Sequence, residues 1–223
     1  MSIAVYKVGG SLLSLPDLAS RLRTLTGSGS QRPLLVSGGG AAADVVRDWD
    51  RCHDLMPAAA HELAILSLHL TDALLCTLVP ECQRVGSRSA AEACWNQGRV
   101  PVLDVRAFLE SEQPASSVRL PCDWTVTSDA IAAWVAIHWP ADRLVLLKSC
   151  DIPARLSWEQ AARKRLVDAC FPSLVSRLKT IAWVNLRTDA PRTNGEFLQE
   201  SVEELLPCDR AESTEDSQLR RSH

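Results

Sequence analysis

The residues with the clearest chemical potential are Lys7, Gly9, Gly10 and Ser11, in the stretch "YKVGGSLLS" (6–14). A short apolar run precedes them and a leucine-rich stretch follows. Glycines at the end of a strand leave backbone N–H groups uncovered and let a ligand approach the main chain closely. A helix that starts soon afterwards adds its positive end, and Lys7 adds a full cation. Together these residues suit phosphate oxygens. Taken alone, the same stretch fits a tight turn beside a surface lysine equally well.

"LLVSGGGAAADVV" repeats the arrangement, with Gly38, Gly39 and Gly40 between an apolar run and a helix. Ligands of parallel sheets bind along the edge formed by the strand C-termini. Two glycine-rich ends on one edge therefore suit a ligand with several anionic groups, or two anionic ligands. Neither loop has the Walker A spacing or the Gly-x-Gly-x-x-Gly fingerprint. Asp129, in "DWTVTSDAIAAWVA", lies at a helix start, where it can orient lysines or act as a plain cap. Lys148, in "VLLKSCDI", ends an apolar run. A lysine there needs an anionic partner if buried, and otherwise sits just beyond the sheet.

Several elements must position these groups. Strands are expected at 3–8, in 33–40 where the run meets the glycines, at the start of 101–110, at 143–152 and, as the last, at 180–186. Helical spacing is expected at 15–25, after Gly40, over 57–79, briefly at the end of 101–110, within 126–139, over 157–171 and over 172–179. The run at 143–152 is continuously apolar, as in a parallel strand covered on both faces. Alternating strands and helices predict an α/β fold, a three-layer αβα sandwich with a mostly parallel central sheet. One domain over 1–207 is expected, followed by a charged, mobile tail over 208–223.

Composition narrows the classes. The chain has 223 residues, 46% of them hydrophobic, and a net charge of −3. That is enough for a real core and offers no broad basic field for nucleic acid. The eight cysteines are scattered without Cys-x-x-Cys pairs and read as reduced, mostly buried side chains in a cytoplasmic protein. Lys7 and the glycines interrupt the first apolar run, so no secretory signal is expected, and no run of membrane-spanning length is expected either. His53, His61 and His69 lack metal-ligand spacing. Arg47 and Arg51 either steer an anionic acceptor or pair with Asp44, Asp48 and Asp50.

"YKVGGSLL", "LLVSGGG", "TSDAIAAWVA" and "LVLLKSCDI", in that order over roughly residues 3–186, resemble the amino-acid kinase family. Within it the chain looks most like the kinase of methanofuran biosynthesis that acts on aminomethyl-furanmethanol phosphate. This narrower likeness rests on "AAHELAILSLHLTDALL", "DWTVTSDAIAAWVA" and "LSWEQAARKRLVDACFP".

The resemblance implies ATP-dependent phosphoryl transfer, with magnesium, to a small phosphorylated or carboxylated acceptor. It implies that Lys7 binds the migrating phosphoryl group, Lys148 the leaving phosphate, and Asp129 both lysines. Gly9, Gly10, Ser11 and Asp151 would serve the nucleotide side. Gly38, Gly39, Gly40, Arg47 and Ser128 would serve the acceptor side; by the narrower likeness Asp168 would touch the acceptor, with capping or a surface role as the plain alternative. No resident protein-bound metal is implied. A homo-oligomer is implied, with helix 63–79 as a candidate interface. Ser37 replaces the histidine that isopentenyl-phosphate-type relatives carry before the triple glycine. The segment after Lys148 is shorter than in many relatives. A non-catalytic nucleotide- or anion-storage protein on the same fold is the competing reading.

Overall fold

The computed structural model describes residues 2–27 and 31–188, and the backbone of 193–198. Its centre is a seven-stranded sheet built from β1 (Ile3–Val8), β2 (Arg32–Ser37), β3 (Cys82–Val85), β4 (Val100–Leu103), β5 (Arg143–Lys148), β6 (Thr180–Asn185) and β7 (Thr193–Leu198). The order is β3-β4-β2-β1-β5-β6-β7. β1 to β6 run parallel and β7 pairs antiparallel with β6. The mostly parallel sheet expected from the sequence is thus present.

The helices are α1 (Leu18–Gly27), α2 (Gly40–His53), α3 (Pro57–Leu78), α4 (Arg88–Asn96), α5 (Val105–Glu112), α6 (Ser128–His138), α7 (Trp158–Arg163) and α8 (Pro172–Val175). Two apolar clusters make the three layers. One packs alternate residues of the central strands, including Val5, Leu34, Leu144 and Trp183, against α4, α5, α6 and α8. The other packs Val8, Leu35, Val145 and Val184 against α1 and the end of α3. Period-two alternation assigns each strand residue to one of these faces.

Several expectations need correction. β6 is not the last strand, because β7 follows it. The two helical stretches expected over 157–171 and 172–179 are both cut short: α7 stops at Arg163, Arg165 adopts φ 57°, and α8 has only four residues. β3 and α4 have no counterpart in the expectations. Finally, α3 is 22 residues long and largely apolar, so among the described residues one helix does reach membrane-spanning length and composition. It nevertheless buries His61, Thr71 and Asp72 against the rest of the fold, as a core helix does. The tail over 208–223 lies outside the described residues. The seven described cysteines are free thiols, but they are not mostly buried: only Cys82 and Cys94 are, while Cys52, Cys122 and Cys150 lie exposed on loops and helix ends.

Candidate active site

β1 is central, with β2 on one side and β5 on the other, so the chain changes direction across the sheet there. Such a switch point opens a crevice at the strand C-termini. Lys7 and Lys148 end the two adjacent strands, with Lys7 opposite Leu146 and Val8 opposite Leu147. Lys7 shares the parity of Val5, and Lys148 that of Leu144 and Leu146. Both side chains therefore leave the sheet on the face covered by α6.

Asp129, in the first turn of α6, meets them. Lys7 Nζ is 2.9 Å from Asp129 Oδ1, an ion pair without an aligned hydrogen bond, and Lys148 Nζ donates to Asp129 Oδ2 at 2.8 Å. All three side chains are largely buried. Burial opposes the Asp129 charge, but the two ammonium groups outweigh it and hold the carboxyl below its ordinary value. Burial, with the Lys7 charge beside it, lowers Lys148 to about 8, against the attraction of Asp129 and Asp168. Lys148 Nζ also donates to the Leu166 carbonyl at 2.7 Å and lies 5.3 Å from the centre of the Trp183 ring. One carboxylate thus holds two cations that sequence separates by most of the chain.

The glycine loops lie beside this pair. The Gly9 amide donates to Leu147 O at 2.9 Å and the Gly38 amide to Val8 O at 2.8 Å, so both are engaged in stitching strand ends together. Gly10 and Ser11 open a 3-10 turn (Gly10–Leu12), whose first amides have no acceptor within the turn. Ser11 Oγ donates to Ser149 Oγ at 2.9 Å. A cavity of ≈ 270 Å3 is lined by Gly10, Gly39, Gly40, Ser128, Arg47 and Trp124. Ile65, Leu68, Val126 and Ile131 add apolar lining, and His61 adds an imidazole. Burial lowers the His61 pKa, against the Asp123 carbonyl and charge.

Of the sequence candidates, Lys7, Asp129 and Lys148 come together. Gly10, Ser11, Gly39, Gly40, Arg47 and Ser128 line the adjoining cavity. Gly38 is buried behind it, and Asp151 is exposed on the loop after β5. Arg47 pairs with Asp44 at 2.7 Å and lies over Trp124, and Arg51 pairs with Asp48. Asp168 caps α6, as described below. His69 contacts Asp104 at 3.1 Å. Among the described residues no three His, Cys, Asp or Glu side chains form a metal cluster. Sequence reasoning missed Trp124, Trp183 and Leu166. The alternation of β6 pointed to Trp183, whose neighbours Ile181 and Asn185 share its face. Nothing in the sequence marks the carbonyl of Leu166.

The family model described as the amino acid kinase family matches residues 2–151. The chain belongs to the amino acid kinase family. Solved structures of similar fold include uridylate kinase from Archaeoglobus fulgidus, with 18% identity, a TM-score of 0.57, and coverage of 88% of this chain and 92% of that one. UMP kinase from Ureaplasma parvum is 12% identical with a TM-score of 0.59, covering 86% and 93%. Aspartate kinase from Synechocystis is 15% identical with a TM-score of 0.56, covering 82% of this chain and 38% of that longer one. No curated protein sequence matches. In this amino acid kinase family member, the matched span contains both lysines, Asp129 and both glycine loops, and ends at Asp151.

Proposed function

We propose that the chain is an ATP-dependent phosphotransferase acting on a small phosphorylated or carboxylated metabolite. The observation that carries this reading is the Lys7–Asp129–Lys148 bridge at the sheet's switch point, beside two glycine loops. Phosphoryl transfer needs alignment and charge neutralisation more than covalent help. The bond from the γ-phosphorus to the β-bridging oxygen breaks, and an acceptor oxygen forms the new bond to phosphorus. ADP leaves with the electron pair. A phosphate or carboxylate acceptor has no proton to remove, so no general base is required. Lys7 would neutralise the migrating group and Lys148 the leaving phosphate, with Asp129 fixing both. The Gly10 and Ser11 amides would take nucleotide phosphates. Gly39, Gly40, Ser128 and Arg47 would surround the acceptor. The buried cations suit phosphate charge, and the described donor set offers no cage for a resident metal. Magnesium would enter as the metal–nucleotide substrate.

The finer assignment is to (aminomethyl)furanmethanol phosphate, in methanofuran-type one-carbon cofactor biosynthesis in the cytoplasm. The apolar side chains in the cavity lining, Ile65, Leu68, Val126 and Ile131, support it, being suited to the faces of a compact furan ring. Copies would associate through α3, where Leu66, Leu70, Leu74 and Leu78 are exposed at four-residue spacing. The test is to supply ATP, magnesium and single acceptors: this phosphate ester, UMP, aspartate and glutamate. ADP and phosphorylated product are then measured. Turnover confined to the furan phosphate is expected. Turnover with UMP or an amino acid would overturn the finer assignment. Tight ATP binding with no turnover on any acceptor would favour storage.

A further inference from the structure

The family match ends at Asp151, yet the lysine pair is completed from beyond it. Between α7 and α8 the chain forms an irregular strap, residues 164–171, that reverses at Arg165. Its Leu166 carbonyl accepts the Lys148 hydrogen bond at 2.7 Å. Two residues on, Asp168 faces the start of α6. Its Oδ2 accepts from Thr127 N at 3.0 Å, Thr127 Oγ1 at 2.9 Å and Ala130 N at 2.8 Å, while its Oδ1 accepts from Phe171 N at 2.9 Å. The Thr127 side chain makes no cap of its own. The first amides of a helix have no partners within it, and a carboxylate there also meets the positive end of the helix dipole. Asp168 therefore caps α6 from 38 to 41 residues away, in the turn that carries Ser128 and Asp129.

We propose that Asp168 and its strap are a positioning device for the phosphoryl-transfer centre, tying the first turn of α6 and the Lys148 ammonium to one rigid segment. This rests on the kinase reading. It assigns Asp168 to the helix cap and away from direct acceptor contact. The strap makes two attachments at once. Asp168 fixes the turn that aims Asp129, and Leu166 fixes the other side of Lys148. The charged groups around the Lys148 ammonium are Lys7 from β1, Asp129 from α6 and Asp168 from the strap, with the Trp183 ring from β6. Losing the Asp168 charge removes an attractive carboxylate second to Asp129.

The test compares Asp168→Asn and Asp168→Ala with the parent chain. The Asn variant keeps a carbonyl acceptor and removes the charge. The Ala variant removes cap and charge together. In folded Ala variant, kcat should fall at least about tenfold with KM changing under threefold, as expected for lost alignment. In the Asn variant, kcat at pH 7 should recover to within about threefold. In both, the midpoint of the Lys148 titration should move to lower pH. It is followed by NMR of 13C-labelled lysine and needs no turnover. If the Ala variant fails to fold, the Asn variant still gives the titration. A folded Ala variant with kcat within threefold of the parent, or an unmoved Lys148 midpoint in every variant that folds, would overturn the positioning role. Absence of any turnover by the parent chain would instead overturn the kinase reading and leave the NMR result to decide the strap's role.

Discussion

Gly10 and Gly40, one from each glycine loop, meet backbone to backbone: a β-carbon on Gly10 would lie 2.3 Å from Gly40 N and 2.6 Å from its Cα. Both neighbours are main chain, so no rotamer change can relieve the clash. Gly40 itself adopts φ +52°, and a β-carbon there would lie 2.9 Å from Gly10 O. The two loops are thus a single interlocked surface, and glycine is required by contact as well as by conformation. Gly10→Ala should separate them and lower turnover at least about tenfold, with a loss of about 1–3 kcal/mol in denaturant unfolding. Gly27→Ala, where a β-carbon meets nothing within 4 Å, is the control and should leave both measurements unchanged.

Removing either ammonium should disable transfer without dismantling the sheet. Lys7→Ala and Lys148→Ala are each expected to lower kcat by at least about a hundredfold, the scale for losing one preorganised charge partner. Each variant leaves Asp129 with one cation, so the carboxylate is never buried alone. Purified variants with native circular dichroism and near-normal turnover would refute the roles given to the pair.

Lys148 also sets an alkaline limit. With its pKa at about 8, the ammonium is lost as pH rises through that value, and kcat should fall above it. The folded-state value lies below the ordinary 10.5, so between about 8 and 10.5 the unfolded chain binds the extra proton. The contribution of Lys148 to stability therefore rises with pH across that window. Activity should decline between pH 8 and 9.5 while this group causes no fall in Tm. A kcat that stays flat to pH 9.5 would show that Lys148 keeps its proton or is not needed.

The strand ends were legible because parallel strands buried on both faces read as unbroken apolar runs, and a lysine closing such a run stands out. The meeting of Lys7 with Lys148 could be anticipated only through the family resemblance, since spacing along the chain does not reveal which strands are adjacent. β3 was hidden because its four residues, "CQRV", alternate weakly at a sheet edge. The strap was hidden for a physical reason. Residues 164–171 carry helical spacing, but the capping of α6 by Asp168 and the Lys148–Leu166 bond hold them in an irregular path. Tertiary contacts there override local propensity. The Gly9 amide illustrates the reverse limit: its residue type suits a phosphate, but the Leu147 carbonyl already occupies it.

Association through α3 has its own readout. Leu70 is 68% exposed and sits amid Leu66, Leu74 and Leu78 on a face without exposed charge between Leu63 and Leu78. A self-complementary apolar stripe favours a two-fold pair of identical helices. Leu70→Glu should shift sedimentation from dimer to monomer with little change in Tm. A parent chain that sediments as a monomer at tens of micromolar would exclude this interface.

Asp72 offers a prediction away from the transfer chemistry. Its side chain is fully buried on α3, accepting from Ser37 Oγ at 2.6 Å through Oδ1, while Oδ2 has no hydrogen-bond partner. Burial pushes its pKa up to about 7, against the Ser37 hydrogen bond and the Arg84 charge. The folded state therefore holds a proton that the unfolded chain releases near 3.8, and stability from this group is lost as pH rises toward about 7. Asp72→Asn keeps an acceptor for Ser37 and cannot ionise. At pH 5, where the native acid is neutral, the variant should melt within about 2 °C of the parent. At pH 8.5 it should melt at least about 3 °C higher, since a shift of this size corresponds to a few kcal/mol at most. Equal Tm differences at the two pH values would mean that Asp72 does not carry the titration.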